Sequence, residues 1–168
     1  MQTHAQKHMA QYPARPKATA EILLKAGQAI EDELNQHSNW KDRCKGLATA
    51  LAKISGAQHM NGYKLAKHLE SNDSLYNIDM DAVEVLDNFG SEVDELVQEQ
   101  EAQWASDNNV QPPHAIGTVL TIGTITGIYE YSPAIYKVDE GKGENCRLLI
   151  KFENAITPAE HTAAQTAH

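Results

Sequence analysis

The chain has 168 residues, 41% of them apolar, enough for one ordinary domain or two small ones with a buried core. Fourteen Lys and Arg stand against 23 Asp and Glu, and the formal net charge of −9 opposes general attraction to nucleic acid or to an anionic membrane. No apolar run approaches the roughly 18 residues of a membrane span, residues 1–16 carry no signal-peptide core, and Cys44 and Cys146 suit neither a disulfide framework nor a CxxC site, so a reducing, cytoplasmic setting is expected.

Residues 1–17, with His4, His8, Pro13 and Pro16, show no periodicity and are expected to form a mobile arm. A helical domain is expected over 18–107. Thr19 is the predicted cap of a first helix whose inner face is Ile22, Leu23, Ala26, Ile30 and Leu34. His37, Ser38 and Asn39 interrupt it. A second helix then carries Trp40, Cys44, Leu47, Leu51 and Ile54 at spacings of four and three, and ends at Ser55-Gly56. Asn61 is the predicted cap of a short third helix with Tyr63, Leu65, Ala66 and Leu69 inward. Ser71 to Asn77 reads as turn.

The fourth and longest helix is expected over Met80–Ala105, about 40 Å at roughly 1.5 Å per residue, with Gly90 as its bend. Its wheel places Ala82, Leu86, Phe89, Val93, Leu96, Val97 and Trp104 on one side. Asp81, Glu84, Glu92, Glu95 and Glu99 share the other, with Asp87, Asp94 and Glu101 beside them.

Past Asn108-Asn109 and Pro112-Pro113 the grammar changes to strands. Residues 116–128 are rich in Ile, Val and Thr, with Gly117, Gly123 and Gly127 too frequent for a helix. Tyr129 to Val138 continues around a Ser132-Pro133 turn. The polar loop Asp139–Asn145 leads into Cys146, Leu148, Ile150 and Phe152, which alternate with Arg147, Leu149 and Lys151 as in a hairpin. The expected fold class is α+β: an N-terminal bundle of about four helices, then a small antiparallel β-barrel or curled sheet over 114–155, with 156–168 a disordered tail.

Catalytic motifs are not evident: there is no GxSxG, GxGxxG or phosphate-cradling glycine loop. Cys44 and Cys146 read as small hydrophobes rather than nucleophiles for His59, His68 or His114. His4 and His8 lack a third ligand in the chain around them, His161 and His168 lie in the tail, and Asp79, Asp81 and Asp87 do not fit a calcium loop. Asn72-Asp73-Ser74 reads as a chance glycosylation match. The expectation is therefore a non-enzymatic protein with no catalytic residue, no metal and no cofactor.

Charge, by contrast, is organised. Residues 1–78 sum to +3, residues 79–107 to −10 with no basic residue, and residues 108–168 to −2. Ten carboxylates in the middle block average about one per 4 Å of helix, near the roughly 3.4 Å per phosphate of a nucleic-acid strand. The leading expectation is a protein-binding module, in its sharpest form a small inhibitor or regulator of the mobile-element counter-defence type. It would block a nucleic-acid-handling protein through Asp81, Glu84, Glu92, Glu95 and Glu99. The alternative is a DNA-binding regulator using Lys41, Arg43, Lys45, Lys64 and Lys67, part of a net +5 over 41–68 that also includes Lys53, Asp42 and the nearby His68. Tyr129, Tyr131 and Tyr136 are a further candidate contact, better suited to a protein than to nucleic acid. A homodimer, through the apolar stripe of the long helix or through another helix, is the remaining partner expectation, and no membrane partner is expected.

Overall fold

The computed structural model describes residues 2–37, 39–41, 43–72, 78–142 and 147–165. In chain order its regular elements are α1 His4–Met9, α2 Ala20–Gln36, α3 Leu47–Lys53, α4 Gly62–Asn72, α5 Met80–Asp87, α6 Phe89–Asp107, β1 Val119–Leu120, β2 Gly123–Ile128, β3 Ile135–Asp139, β4 Arg147–Lys151 and α7 Pro158–Gln165. The protein is thus mixed helix and sheet. Expectations for Ser38, Asp42, Asp73 to Asn77, Glu144 to Cys146 and His168 lie outside the described residues. The chain divides into two compact units, Pro16–Gln100 and Met1–Arg15 with Glu101–His168. The division falls within α6.

The helical unit is built around Ile22, Ile30, Leu34, Leu47, Leu51, Leu65, Leu86, Phe89 and Val93, all buried. Each such side chain contributes about 1.5–3 kcal/mol by leaving water. Thr19 caps α2 as expected, its hydroxyl accepting the Ile22 N–H at 3.3 Å. The second helix starts seven residues later than its periodicity suggested. Trp40 and Cys44 are buried as that pattern requires, but they sit in turns. Left-handed Gly46 precedes α3, and the Glu31 carboxylate of α2 accepts the N–H groups of Gly46 at 3.3 Å and Ala48 at 2.9 Å. A neighbouring helix therefore satisfies amides that a helix start leaves unpaired.

Asn61 caps α4 through the Lys64 N–H at 3.0 Å. Tyr63, expected inward, is 55% exposed; Leu65, Ala66 and Leu69 form the inner face with Gly62. A Cβ at Gly62 would lie 2.1 Å from the Val83 carbonyl oxygen, so the start of α4 packs directly on the backbone of α5. The expected single long helix is two, α5 and α6, separated at Asn88 rather than bent at Gly90. Gly90 instead provides close packing against the Gln58 carbonyl. Ala82, Leu86, Phe89 and Val93 are buried in this unit's core.

The other unit holds an open antiparallel meander in the order β1-β2-β3-β4. It does not close into a barrel. Gly123, at φ +147°, opens β2 directly after the Thr121-Ile122 turn, and a Cβ there would strike the Asp139 carbonyl oxygen at 2.2 Å. Leu120, Ile125, Tyr136 and Val138 turn inward to meet Trp104 and Phe152. The expected β3–β4 hairpin is present, pairing Tyr136 with Ile150 and Val138 with Leu148. Short helices lie within the segments expected to be a mobile arm and a disordered tail: α1 in the first and α7 in the second. Thr3 and Gln6 form a reciprocal capping box at α1, which buries Ala5, and Thr157 and Glu160 do the same at α7.

Candidate functional site

The acidic segment divides once its side chains are placed. Asp79 caps α5, accepting the Ala82 N–H at 3.0 Å, and also accepts from the Trp40 indole at 3.1 Å. The Ala82 bond, with help from Trp40 and Arg43, holds its carboxyl below the ordinary range against the opposing effect of burial. Asp87 accepts the Gly62 N–H at 2.6 Å and so caps α4. Glu101 is buried in the sheet unit and paired with Arg15 at 3.2 Å and Lys151 at 3.5 Å. These three carboxylates maintain the fold.

The five carboxylates singled out in the sequence fall in the helical unit. Asp81 and Glu84 lie exposed on α5; Glu95 and Glu99 lie exposed on α6, with Glu92 half-buried beside them. Glu92, Glu95 and Glu99, at spacings of three and four, share one face of α6. None of the five forms an ion pair with a described residue. Asp81 and Glu84 line an open pocket of about 350 Å3 together with Glu33, His37, Val85 and Asn88. Sequence reading missed Glu33 and His37, because they come from α2 and its end and meet α5 only in three dimensions.

The two other candidate surfaces are less coherent. Lys41, Arg43, Lys45, Lys64 and Lys67 are exposed, but Arg43 folds back over the Trp40 ring at 5.0 Å and donates to the Asn39 carbonyl at 3.0 Å. Lys67 lies 4.9 Å from the Tyr63 ring centre, and hydrogen bonding with the Tyr63 side chain raises its pKa. The link from α3 to α4 runs through a 3-10 turn at Ala57–His59, not the tight turn of a helix-turn-helix. Tyr129 and Tyr131 meet edge to face at 5.5 Å, with Tyr131 exposed. Tyr136 is not part of that surface. It is fully buried, its hydroxyl donating to the His114 carbonyl at 2.8 Å and accepting the His114 N–H at 2.7 Å. Burial pushes its pKa up despite the donated N–H.

The sequence placed His4 and His8 without a neighbour, whereas the fold brings the His114 ring to 5.4 Å from that of His4. His8 Nε2 contacts the Gln111 carbonyl at 3.0 Å and His114 Nε2 the Ala155 carbonyl at 3.2 Å. Among the described residues no three His, Cys, Asp or Glu side chains are disposed to hold one metal ion. Cys44 is buried, its thiol directed at the Glu31 and Trp40 carbonyls. Among the described residues no helix is long and apolar enough to cross a membrane. No family model matches the chain, and no curated protein or solved structure is detectably similar to it.

Proposed function

We propose that this is a non-catalytic protein-binding module that presents Asp81, Glu84, Glu92, Glu95 and Glu99 to a basic surface on another protein. The observation that carries the reading is the exposure of Asp81, Glu84, Glu95 and Glu99 without an ion-pair partner among the described residues. With Asp79, Asp87 and Glu101 engaged internally, the remaining seven carboxylates of residues 79–107 average about one per 6 Å of helix. That is looser than a phosphate strand. The reading therefore favours a basic protein patch generally, with a nucleic-acid channel as its narrower form and inhibition of the partner as the consequence.

Capture of native-host proteins on immobilised protein, with and without nuclease, tests it. Wild type should retain a partner through nuclease treatment, and Glu92→Lys with Glu95→Lys and Glu99→Lys should release it while leaving the circular dichroism spectrum unchanged. A partner held equally by the triple variant refutes the acidic-face reading. A partner set that vanishes with nuclease points to the DNA-binding alternative, in which Lys64→Glu with Lys67→Glu should abolish a gel shift.

A further inference from the structure

We propose that the outer edge of β4 accepts an extended peptide strand bearing acidic residues four positions apart with apolar residues between them. The backbone shows which groups are available. The Phe152 N–H donates to the Ala134 carbonyl at 2.9 Å, and that pair continues the β3–β4 register. In an antiparallel ladder bonded pairs alternate, so Leu148 and Ile150 also face β3, whereas Arg147, Leu149 and Lys151 direct their N–H groups to the open side. Consistently, β3 uses its Ile135 carbonyl for Tyr129 on the β2 side. Among the described residues nothing bonds to this edge. β1, at the opposite edge, has only two residues.

Side chains select the occupant. Arg147 and Lys151 are exposed and flank Leu149, which is 49% exposed, while Leu148 and Ile150 pack on the sheet unit's core. A second copy pairing antiparallel about Leu149 would set Arg147 opposite Lys151 twice, and like charges directly opposed are unfavourable. Exposed basic residues are also a common guard against edge-to-edge association. An incoming strand with carboxylates opposite Arg147 and Lys151 reverses that penalty, and three apolar residues between them would cover Leu149 on one face and extend the Leu148–Ile150 surface on the other. The mode is strand addition, with main-chain bonds supplying affinity and alternate side chains supplying selection.

The experiment uses the full chain and two synthetic peptides, acetyl-Glu-Val-Val-Val-Glu-amide and its Lys-flanked counterpart, each with a fluorophore on a Gly-Ser extension. The Glu peptide should bind at least about tenfold tighter by anisotropy, and should slow amide exchange at Arg147, Leu149 and Lys151. Leu149→Pro deletes one edge N–H that β3 does not use, and should weaken binding about tenfold while the rest of the amide spectrum is preserved. Arg147→Glu should remove the preference for the Glu peptide. No binding, equal binding of both peptides, protection elsewhere than β4, or self-association protecting these amides without peptide would overturn the proposal.

Discussion

Replacing Arg15 with Ala should cost about 3 kcal/mol, because its guanidinium is the buried centre of the sheet unit's polar network. Nε and Nη2 grip the Glu153 carboxylate at 2.8 and 3.0 Å. Nη1 reaches Glu101 and the Pro133 carbonyl, both at 3.2 Å, and Nη2 reaches the Ala134 carbonyl at 2.9 Å. The group also lies 5.2 Å from the centre of the Trp104 ring. Arg15 and Glu101 side chains are 7% and 8% exposed, so removing the cation leaves a buried carboxylate, a loss of about 3–5 kcal/mol in comparable pairs. Two features bring the figure to the low end: Glu153 is 28% exposed and can rehydrate, and Glu101 keeps Lys151 at 3.5 Å. Lys at position 15 restores charge without the planar fork and should recover about half. Arg15→Met combined with Glu101→Met should be less damaging than Arg15→Met alone, since no buried charge is then orphaned. Trp40 reports on the helical unit and Trp104 on the other, so urea unfolding followed by Trp104 emission in a Trp40→Phe background isolates the effect. A loss under about 1 kcal/mol, or a double variant no better than the single one, would show that the network behaves like a surface ion pair.

The remaining predictions concern the helical unit, with one control in the sheet unit. Asp79→Ala should cost about 1 kcal/mol at neutral pH through loss of the α5 cap, measured by urea unfolding with Trp40 emission. Because the folded Asp79 pKa is lowered, its stabilising contribution is present above the unfolded value of about 3.9 and is lost as pH falls through the folded value. Asp79→Asn keeps a capping oxygen, so the stability gap between it and wild type should close only in that acid range; a gap that closes near pH 6 would assign the effect to another group. Gly62→Ala should lower the melting temperature sharply, since its Cβ would lie 2.1 Å from the Val83 carbonyl oxygen and 2.8 Å from the Asp87 nitrogen. Gly127→Ala, whose Cβ meets nothing nearer than Lys137 Cδ at 3.9 Å, should be nearly neutral by the same differential-scanning measurement.

Long amphipathic periods were readable and short elements were not. The stripe Ile22, Ala26, Ile30 and Leu34 located α2, and the alternation Leu148, Ile150, Phe152 located β4, because each repeats one spacing several times. Trp40 and Cys44 kept the helical spacing and are buried without being helical; burial is what the spacing reports. α1 and α7, with six and eight residues, are too short to show a period. Their signals were nonetheless present as capping boxes, Thr3 with Gln6 and Thr157 with Glu160, placed in segments whose His, Pro and Thr content read as disorder. Arg15 had no local signature at all. Its partners lie 86 to 138 residues away, and only tertiary structure brings them together.

The same distinction reshapes the charge. Counted along the sequence, the density of the ten carboxylates over 79–107 suggests a continuous electrostatic surface. The fold assigns Asp79 and Asp87 to helix starts and Glu101 to a buried cation, roles that any acidic helix in a compact protein can serve. Charge density alone therefore overstates what is offered to a partner. Substitutions at Asp79, Asp87 and Glu101 should register as lost stability whatever binds, whereas those at Glu92, Glu95 and Glu99 should register in binding with stability nearly unchanged. If both groups affected stability alike, the acidic segment would be architecture throughout, and the proposed interface would have no residues left to carry it.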